Sequence, residues 1–165
     1  MNELFNFATA DLIDIAPDTP SCEIQFSSFG RRPRFCGRIR TVQCHRDNGL
    51  IKQLMNTPSE GEVLVIDGGG SLASALMGDL IAGAGASNGW AGAVILGAIR
   101  DSEAIALMDF GVKALGCNPR KSAKDNAGEV DVEVSFGGVT FRAGEYLYSD
   151  EDGILVSADQ IKAKD

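Results

Sequence analysis

The chain has 165 residues, 15 Lys and Arg against 23 Asp and Glu, a formal net charge of −8, 44% hydrophobic residues and 20 glycines. A chain of this length buries roughly 70% of the surface it would expose unfolded, so it reads as one domain over residues 1–165 that needs no disulfide staples, and its apolar content argues against disorder. No run approaches the roughly 18 apolar residues of a spanning helix, and the first ten residues lack the basic start and apolar stretch of a signal peptide, so a soluble cytoplasmic protein is expected.

Four cysteines, Cys22, Cys36, Cys44 and Cys117, form no C-x-x-C pair and are expected to be reduced thiols. His45 is the only histidine. A Ser-His-Asp or Cys-His relay would have to run through it, and a zinc site would have to do without the usual paired spacing. It follows Cys44 directly, and neighbouring strand side chains point to opposite faces. Acid-base chemistry therefore falls to carboxylates, a lysine, water activated by a metal, or the substrate.

In chain order, Thr9 to Ile15 reads as an opening helix stopped by Pro17, and Cys22 to Phe26 and Phe35 to Cys44 as strands. Arg31, Arg32, Arg34, Arg38, Arg40 and Arg46 occupy a stretch without an acid, a local +6 that leaves −14 on the remainder. The alternation of Arg38, Ile39, Arg40, Thr41 and Val42 suits a strand with one solvated face, and overall acidity repels a polyanion. No nucleic-acid partner is expected; a basic protein suits the acidic remainder better. Asp47 and Asn48 are positioned to cap a helix carrying Leu50, Ile51, Leu54 and Met55, ended by Thr57-Pro58.

Val63 to Asp67 is a continuous apolar run of buried-strand type, followed by Gly68-Gly69-Gly70 and small-residue helical sequence up to Asn88-Gly89. Ala93 to Ile99 is a second such strand, after which Ser102 caps a helix with Ile105, Leu107 and Met108. This order predicts a parallel crossover. From Val130 the period becomes two, and Gly137-Gly138 and Asp152-Gly153 mark hairpin turns.

Gly68, Gly70 and Ala73 fit the relaxed dinucleotide pattern G-x-G-x-x-A, but no acid occurs between Asp79 and Asp101, where a ribose ligand would lie, and no Gly-Lys-Ser/Thr follows. The glycines still permit close approach beside a strand end, and with Gly78 they are expected to shape an anion pocket. Arg100 and Asp101 end an apolar strand at its carboxyl end, where open α/β sheets bind ligands. Asp79 sits among small and apolar residues. If one helix runs through, its charge shares a buried face and needs a partner; if Gly78 breaks the helix, the amides of Leu80 and Ile81 become an anion site. The competing structural reading is a buried Asp79-Arg100 ion pair with Asp101 capping the next helix. Asp150, Asp152 and Gly153 imitate part of a calcium loop, but the pattern is incomplete and a hairpin turn explains it.

Together Val65 to Gly70, Gly78-Asp79-Leu80-Ile81, Gly97 to Asp101, Phe136 to Val139 and Asp150 to Gly153 resemble the RraA-like family. It contains the regulator of ribonuclease E activity A and the class II 4-hydroxy-4-methyl-2-oxoglutarate/4-carboxy-4-hydroxy-2-oxoadipate aldolases. The aldolase branch is marked by an acid, twenty intervening residues, then Arg-Asp, matched here by Asp79 and Arg100-Asp101. The resemblance implies an α/β fold of the swivelling β/β/α, phosphohistidine-domain-like type, with a parallel crossover and antiparallel hairpins, assembled as a homotrimer with sites between subunits. It implies that Asp101 anchors a divalent cation, Mg²⁺ or Mn²⁺, and that Arg100 holds the pyruvyl portion and stabilises the enolate. The amides of Leu80 and Ile81 would hold the carboxylate, Gly78 would allow close approach, and Asp79 would orient a proton-relaying water.

The expected activity is cleavage of a 4-hydroxy-2-oxo acid to pyruvate, with oxaloacetate decarboxylation as a second activity. The alternative is a non-catalytic regulator that binds ribonuclease E or an associated helicase. A methyltransferase label also attached to the family finds no adenosylmethionine site in this sequence. Two departures stand out. Ala143-Gly144-Glu145 replaces the Pro-Gly-Asp of many members, and the chain is similar to the regulator subgroup around Gly68 to Leu72 and Phe136 to Phe141, yet keeps the Asp101 that some regulators lack.

Overall fold

The two apolar runs become the middle of a curled mixed sheet in the computed structural model, which describes residues 6–162. After helix α1 (Thr9–Ile15) and the two-residue strand β1 (Ser27–Ser28) come β2 (Phe35–Gln43), α2 (Gly49–Met55), β3 (Val63–Asp67), β4 (Ala75–Met77), α3 (Asp79–Ser87) and β5 (Gly92–Ile99). The chain continues through α4 (Ser102–Ile105), β6 (Gly111–Cys117), β7 (Glu129–Val130), β8 (Val134–Phe136), β9 (Val139–Phe141), β10 (Tyr146–Asp150) and β11 (Gly153–Ser157). Sheet order is β1-β6-β5-β3-β2-β10-β11, with β4 added to β5 and β7 to β2. Strands β2, β3, β5 and β6 run parallel, as crossover connections require, and the β10–β11 hairpin closes one side antiparallel.

Both faces of the sheet are covered, which is why β3 and β5 are apolar throughout rather than alternating. On one face Leu64, Ile66, Ile95 and Ile99 pack with Ile51 and Met55 of α2, Ile81 of α3 and Ile105 of α4. On the other, Val63, Val65 and Val94 meet Val134, Phe136, Val139 and Phe141 of the β8–β9 hairpin, with Leu147, Ile154 and Val156 of β10–β11. This is a single α/β fold with few helices. Among the described residues no helix is long and apolar enough to cross a membrane.

Several sequence expectations are corrected. Residues 22–26 form no ladder because their amides go to different hairpins: Cys22 donates to Ile154 O and Glu23 to Gly137 O. The glycine-bounded stretch Gly111–Cys117, unread as a strand, is held as β6 between β5 and β1. Residues 71–77 are not helical, since β4 pairs with β5 and Ala75 also bridges to Lys121. The period-two run after Val130 is interrupted at Asp131, whose φ of 59° turns the chain between β7 and β8. The arginine-rich segment is not a continuous cationic face either. Arg32, Arg34 and Arg40 pair with Asp109, Glu151 and Asp131 from distant parts of the chain.

Candidate functional site

Gly78 has extended backbone (φ −123°, ψ −166°), so the chain leaves β4 straight and α3 starts afresh at Asp79. Of the two geometries open from sequence, the helix restarts. Its first intrahelical bond is from Ala82 N–H to Gly78 O, which leaves the amides of Asp79, Leu80 and Ile81 without helical acceptors. The Asp79 amide donates to Asp101 Oδ2 at 3.1 Å. Leu80 and Ile81 keep theirs at the positive end of a nine-residue helix, the arrangement that suits an anion.

Parallel pairing of β4 with β5 sets Met77 opposite Ile99, and Arg100 N–H donates to Met77 O at 3.0 Å. That register carries Arg100 and Asp101 to the Gly78 turn. A Cβ on residue 78 would lie 2.7 Å from Asp101 Oδ2 and 3.3 Å from Arg100 Cγ and Nε, so only glycine leaves these side chains where they are. Arg100 Nε sits 4.0 Å from Asp101 Oδ2, and both side chains are about 40% exposed.

The structural alternative is overturned in both halves. Among the described residues Asp79 makes no ion pair with Arg100, whose carboxylate neighbour is Asp101. Asp101 stands at the start of α4 with left-handed backbone (φ 57°, ψ 40°) and no side-chain cap bond, because its carboxylate turns to α3 instead. Such a conformation in a non-glycine residue costs energy, and Asp tolerates it better than most residues. The expected Ser102 cap is corrected by the same geometry: Ser102 is the first helical residue.

The amides of Gly68 to Gly70 are bonded within the protein's own backbone and side chains. Gly68 and Gly70 both donate to Leu96 O, at 3.1 Å each, and Gly69 donates to Asp67 Oδ1 at 2.9 Å. Gly69 and Gly70 have φ values of 68° and 76°, so the glycines serve a tight turn of the chain's own backbone. No phosphate cradle remains there. Glu145 pairs with Arg142 at 3.7 Å.

Sequence reasoning missed a second polar cluster, far along the chain. The Asp150 carboxylate accepts from Thr9 N–H (2.7 Å), Thr9 Oγ1 (2.6 Å) and Asp152 N–H (2.9 Å), while buried Lys113 donates to Asp150 O. Burial pushes the Asp150 carboxyl up, but the Thr9 and Asp152 hydrogen bonds and the Lys113 charge hold it below the usual carboxylate range. Burial lowers Lys113 against the pull of Asp150 and its neighbours. This cluster docks α1, and the turn at Asp152-Gly153 joins β10 to β11 as the hairpin reading expected. Asp101 and Asp79 are the acids at the Gly78 turn, and no group of three or more His, Cys, Asp or Glu positioned for a metal occurs among the described residues.

Residues 9–156 match the RraA-like family, Aldolase/RraA. A Geobacillus kaustophilus HTA426 structure described as S-adenosylmethionine:2-dimethylmenaquinone methyltransferase is 42% identical, with 96% of this chain and 99% of that one covered and a TM-score of 0.92. The RNA-processing inhibitor RraA from Thermus thermophilus is 40% identical, with 96% of each chain covered and a TM-score of 0.92. The Streptomyces coelicolor RraAS2 protein, at 23% identity and a TM-score of 0.74, shares the fold. With matched sequence over nearly its whole length, and a fold shared with proteins of both names, this chain belongs to the RraA-like family.

Proposed function

We propose that the protein is a divalent-metal-dependent lyase that cleaves 4-hydroxy-4-methyl-2-oxoglutarate or 4-carboxy-4-hydroxy-2-oxoadipate to pyruvate and decarboxylates oxaloacetate. One observation carries this reading: Arg100, Asp101 and the free amides of Leu80 and Ile81 converge on the Gly78 turn. Both reactions leave a pyruvate enolate, so a site that holds one carboxylate and neutralises an adjacent developing oxyanion serves both.

The Leu80 and Ile81 amides bind the substrate C1 carboxylate, and the Arg100 guanidinium orients the 2-oxo group and stabilises the charge that grows on its oxygen. The Asp79 carboxylate, which has no ion-pair partner among the described residues, takes the 4-hydroxyl proton through one water. The C3–C4 bond then breaks, its electrons form the enolate, and the same proton returns to C3 to give pyruvate. Asp101 is the residue to hold a cation: its Oδ2 is engaged by Asp79 N–H, and its other oxygen accepts from no donor among the described residues. A single hard carboxylate fits Mg²⁺ or Mn²⁺, ions of hard oxygen sites, of which Mg²⁺ keeps several waters. Bound there, the cation supplies Lewis-acid polarisation of the 2-oxo group.

Helices packed on one sheet face and hairpins on the other support the swivelling β/β/α class for this fold. The trimer with shared sites is carried by the family resemblance, and exposed Leu72, Leu80 and Leu107 offer apolar surface to a subunit contact. Sedimentation is expected to give the trimer mass; a stable monomer would remove the shared site.

The test is pyruvate release from oxaloacetate and from 4-hydroxy-4-methyl-2-oxoglutarate, with Mg²⁺ or with chelator, for wild type and Asp101→Ala. Turnover is expected only with metal and only in wild type; undiminished turnover in chelator overturns the reading. The likeness to the Thermus inhibitor and the net charge of −8 favour a second reading, a regulator of ribonuclease E that binds a basic region of it or an associated helicase. That reading expects no turnover, with salt-sensitive ribonuclease inhibition that persists in Asp101→Ala. Methyl transfer is not proposed, since the glycine-loop amides that would face a cofactor are spent on Leu96 and Asp67.

A further inference from the structure

The anion-binding turn depends on where β4 ends, yet β4 is three residues long and its chain enters through an excursion, residues 68–74, that carries no regular structure. Such a short strand has few ladder bonds of its own to resist sliding or fraying. A segment from the far side of β6 supplies the missing restraint. Asn118 Nδ2 donates to Leu72 O at 2.7 Å, while Asn118 Oδ1 accepts from Arg120 N–H at 2.9 Å. Arg120 O then accepts the Ala75 amide at 2.7 Å. Ser122 Oγ donates to Ala75 O at 2.7 Å, so the 2.7 Å contact between the Ser74 and Ser122 hydroxyls has Ser74 as donor. Ser74 and Ser122 are both buried. The Asn118 backbone amide meets Ile99 O at 3.0 Å, on the peptide whose own N–H, that of Arg100, donates to Met77 O.

The peptide preceding Arg100 is therefore held from β6 by Asn118 and from β4 by Met77. The entry to β4 is held at Leu72, Ser74 and Ala75 by the same few residues. We infer that Asn118 and Ser122 are positioning residues of the substrate site: their side chains brace the entry to β4 and so fix the Gly78 turn and its free amides. This inference rests on reading that turn as the carboxylate site. Neither residue touches the substrate in that reading.

A carboxylate held by backbone amides is bound alike in the ground state and the transition state, so loosening the amides weakens binding more than it slows chemistry. Asn118→Ala and Ser122→Ala are expected to raise the KM for oxaloacetate by about five- to tenfold, with kcat within about twofold of wild type. Asn118→Asp keeps the acceptor for Arg120 but loses the donor to Leu72, and is expected to match Asn118→Ala. A purely structural loss would lower the folded, active fraction and leave KM unchanged, which would overturn the inference.

Amide hydrogen exchange on the same proteins without substrate supplies a readout independent of turnover. The Ala75, Ala82 and Arg100 amides are expected to exchange about tenfold faster in Asn118→Ala, while Val65 and Val94 in the sheet centre keep their wild-type protection. Unchanged exchange at Ala75, Ala82 and Arg100 overturns the brace. A wild type that neither turns over oxaloacetate nor binds oxalate with Mg²⁺ in calorimetry overturns the lyase reading, and exchange then decides the brace by itself.

Discussion

At Gly78 a single missing methyl group decides the site. Any Cβ there meets Asp101 Oδ2 at 2.7 Å and the Arg100 side chain at 3.3 Å, closer than packed atoms allow. Gly78→Ala is expected to cut pyruvate-forming turnover by about 100-fold or more while the melting temperature moves only a few degrees, because the displaced groups are exposed side chains and not core. Arg100→Met removes a donor aimed at the developing oxyanion, and a kcat loss of roughly 100- to 1,000-fold is expected from steady-state kinetics. Burial pushes the Cys36 thiol up to about 11 and Cys44 up to about 12, and raises Cys22, so these stay protonated at neutral pH. Native thiol titration with a disulfide reagent is expected to count one fast cysteine per chain, exposed Cys117.

Helix α1 shows how an element that is short and poor in caps is held by one distant carboxylate. It has seven residues and no side-chain cap of its own, and its Thr9 end is fastened by Asp150 while Leu12 packs on Cys36, Tyr148 and Leu155. Thr9→Val leaves a buried carboxylate short of one donor, and a loss of about 1–3 kcal/mol in urea unfolding is expected. The Asp150 carboxyl is held below its unfolded value, so its contribution is fully present above the unfolded pKa, near 4, and is lost only as pH falls through the lower folded value. Melting temperature followed from pH 6 to pH 2 is expected to fall less steeply for Asp150→Asn than for wild type below pH 4. Local pattern revealed α1, α2, the buried runs of β3 and β5, and the hairpins, since each has its period or turn residues within a few positions. It concealed β4 and β6, and left open whether the helix runs through or restarts at Gly78. Ala75–Met77 is apolar enough for a helix, and only its ladder to β5 and the bridge to Lys121 make it a strand.

Across the whole molecule, two cores share one sheet, and Phe35 lies where they are most sensitive to shape. It is fully buried, with its ring against Gly92 and Gly111, where an added Cβ would come within 2.8 and 2.2 Å. Phe35→Ala is expected to cost about 3–5 kcal/mol in denaturant unfolding, since nothing nearby is able to fill the space. The sequence by itself determined the chemistry in reserve: one histidine, no C-x-x-C pair, two buried strand runs, and an acid separated by twenty intervening residues from Arg100-Asp101. Spacing along a chain has no direction in space until strands pair. Tertiary structure decided that Asp79 belongs to a restarted helix, that Asp101 turns to that helix and away from its own, that the glycine-loop amides are consumed, and that acids from distant segments neutralise Arg32, Arg34 and Arg40. Apart from the local Gly69–Asp67 bond, these outcomes rest on hydrogen bonds or ion pairs between residues far apart in sequence, and only the register of packed strands brings such partners within reach.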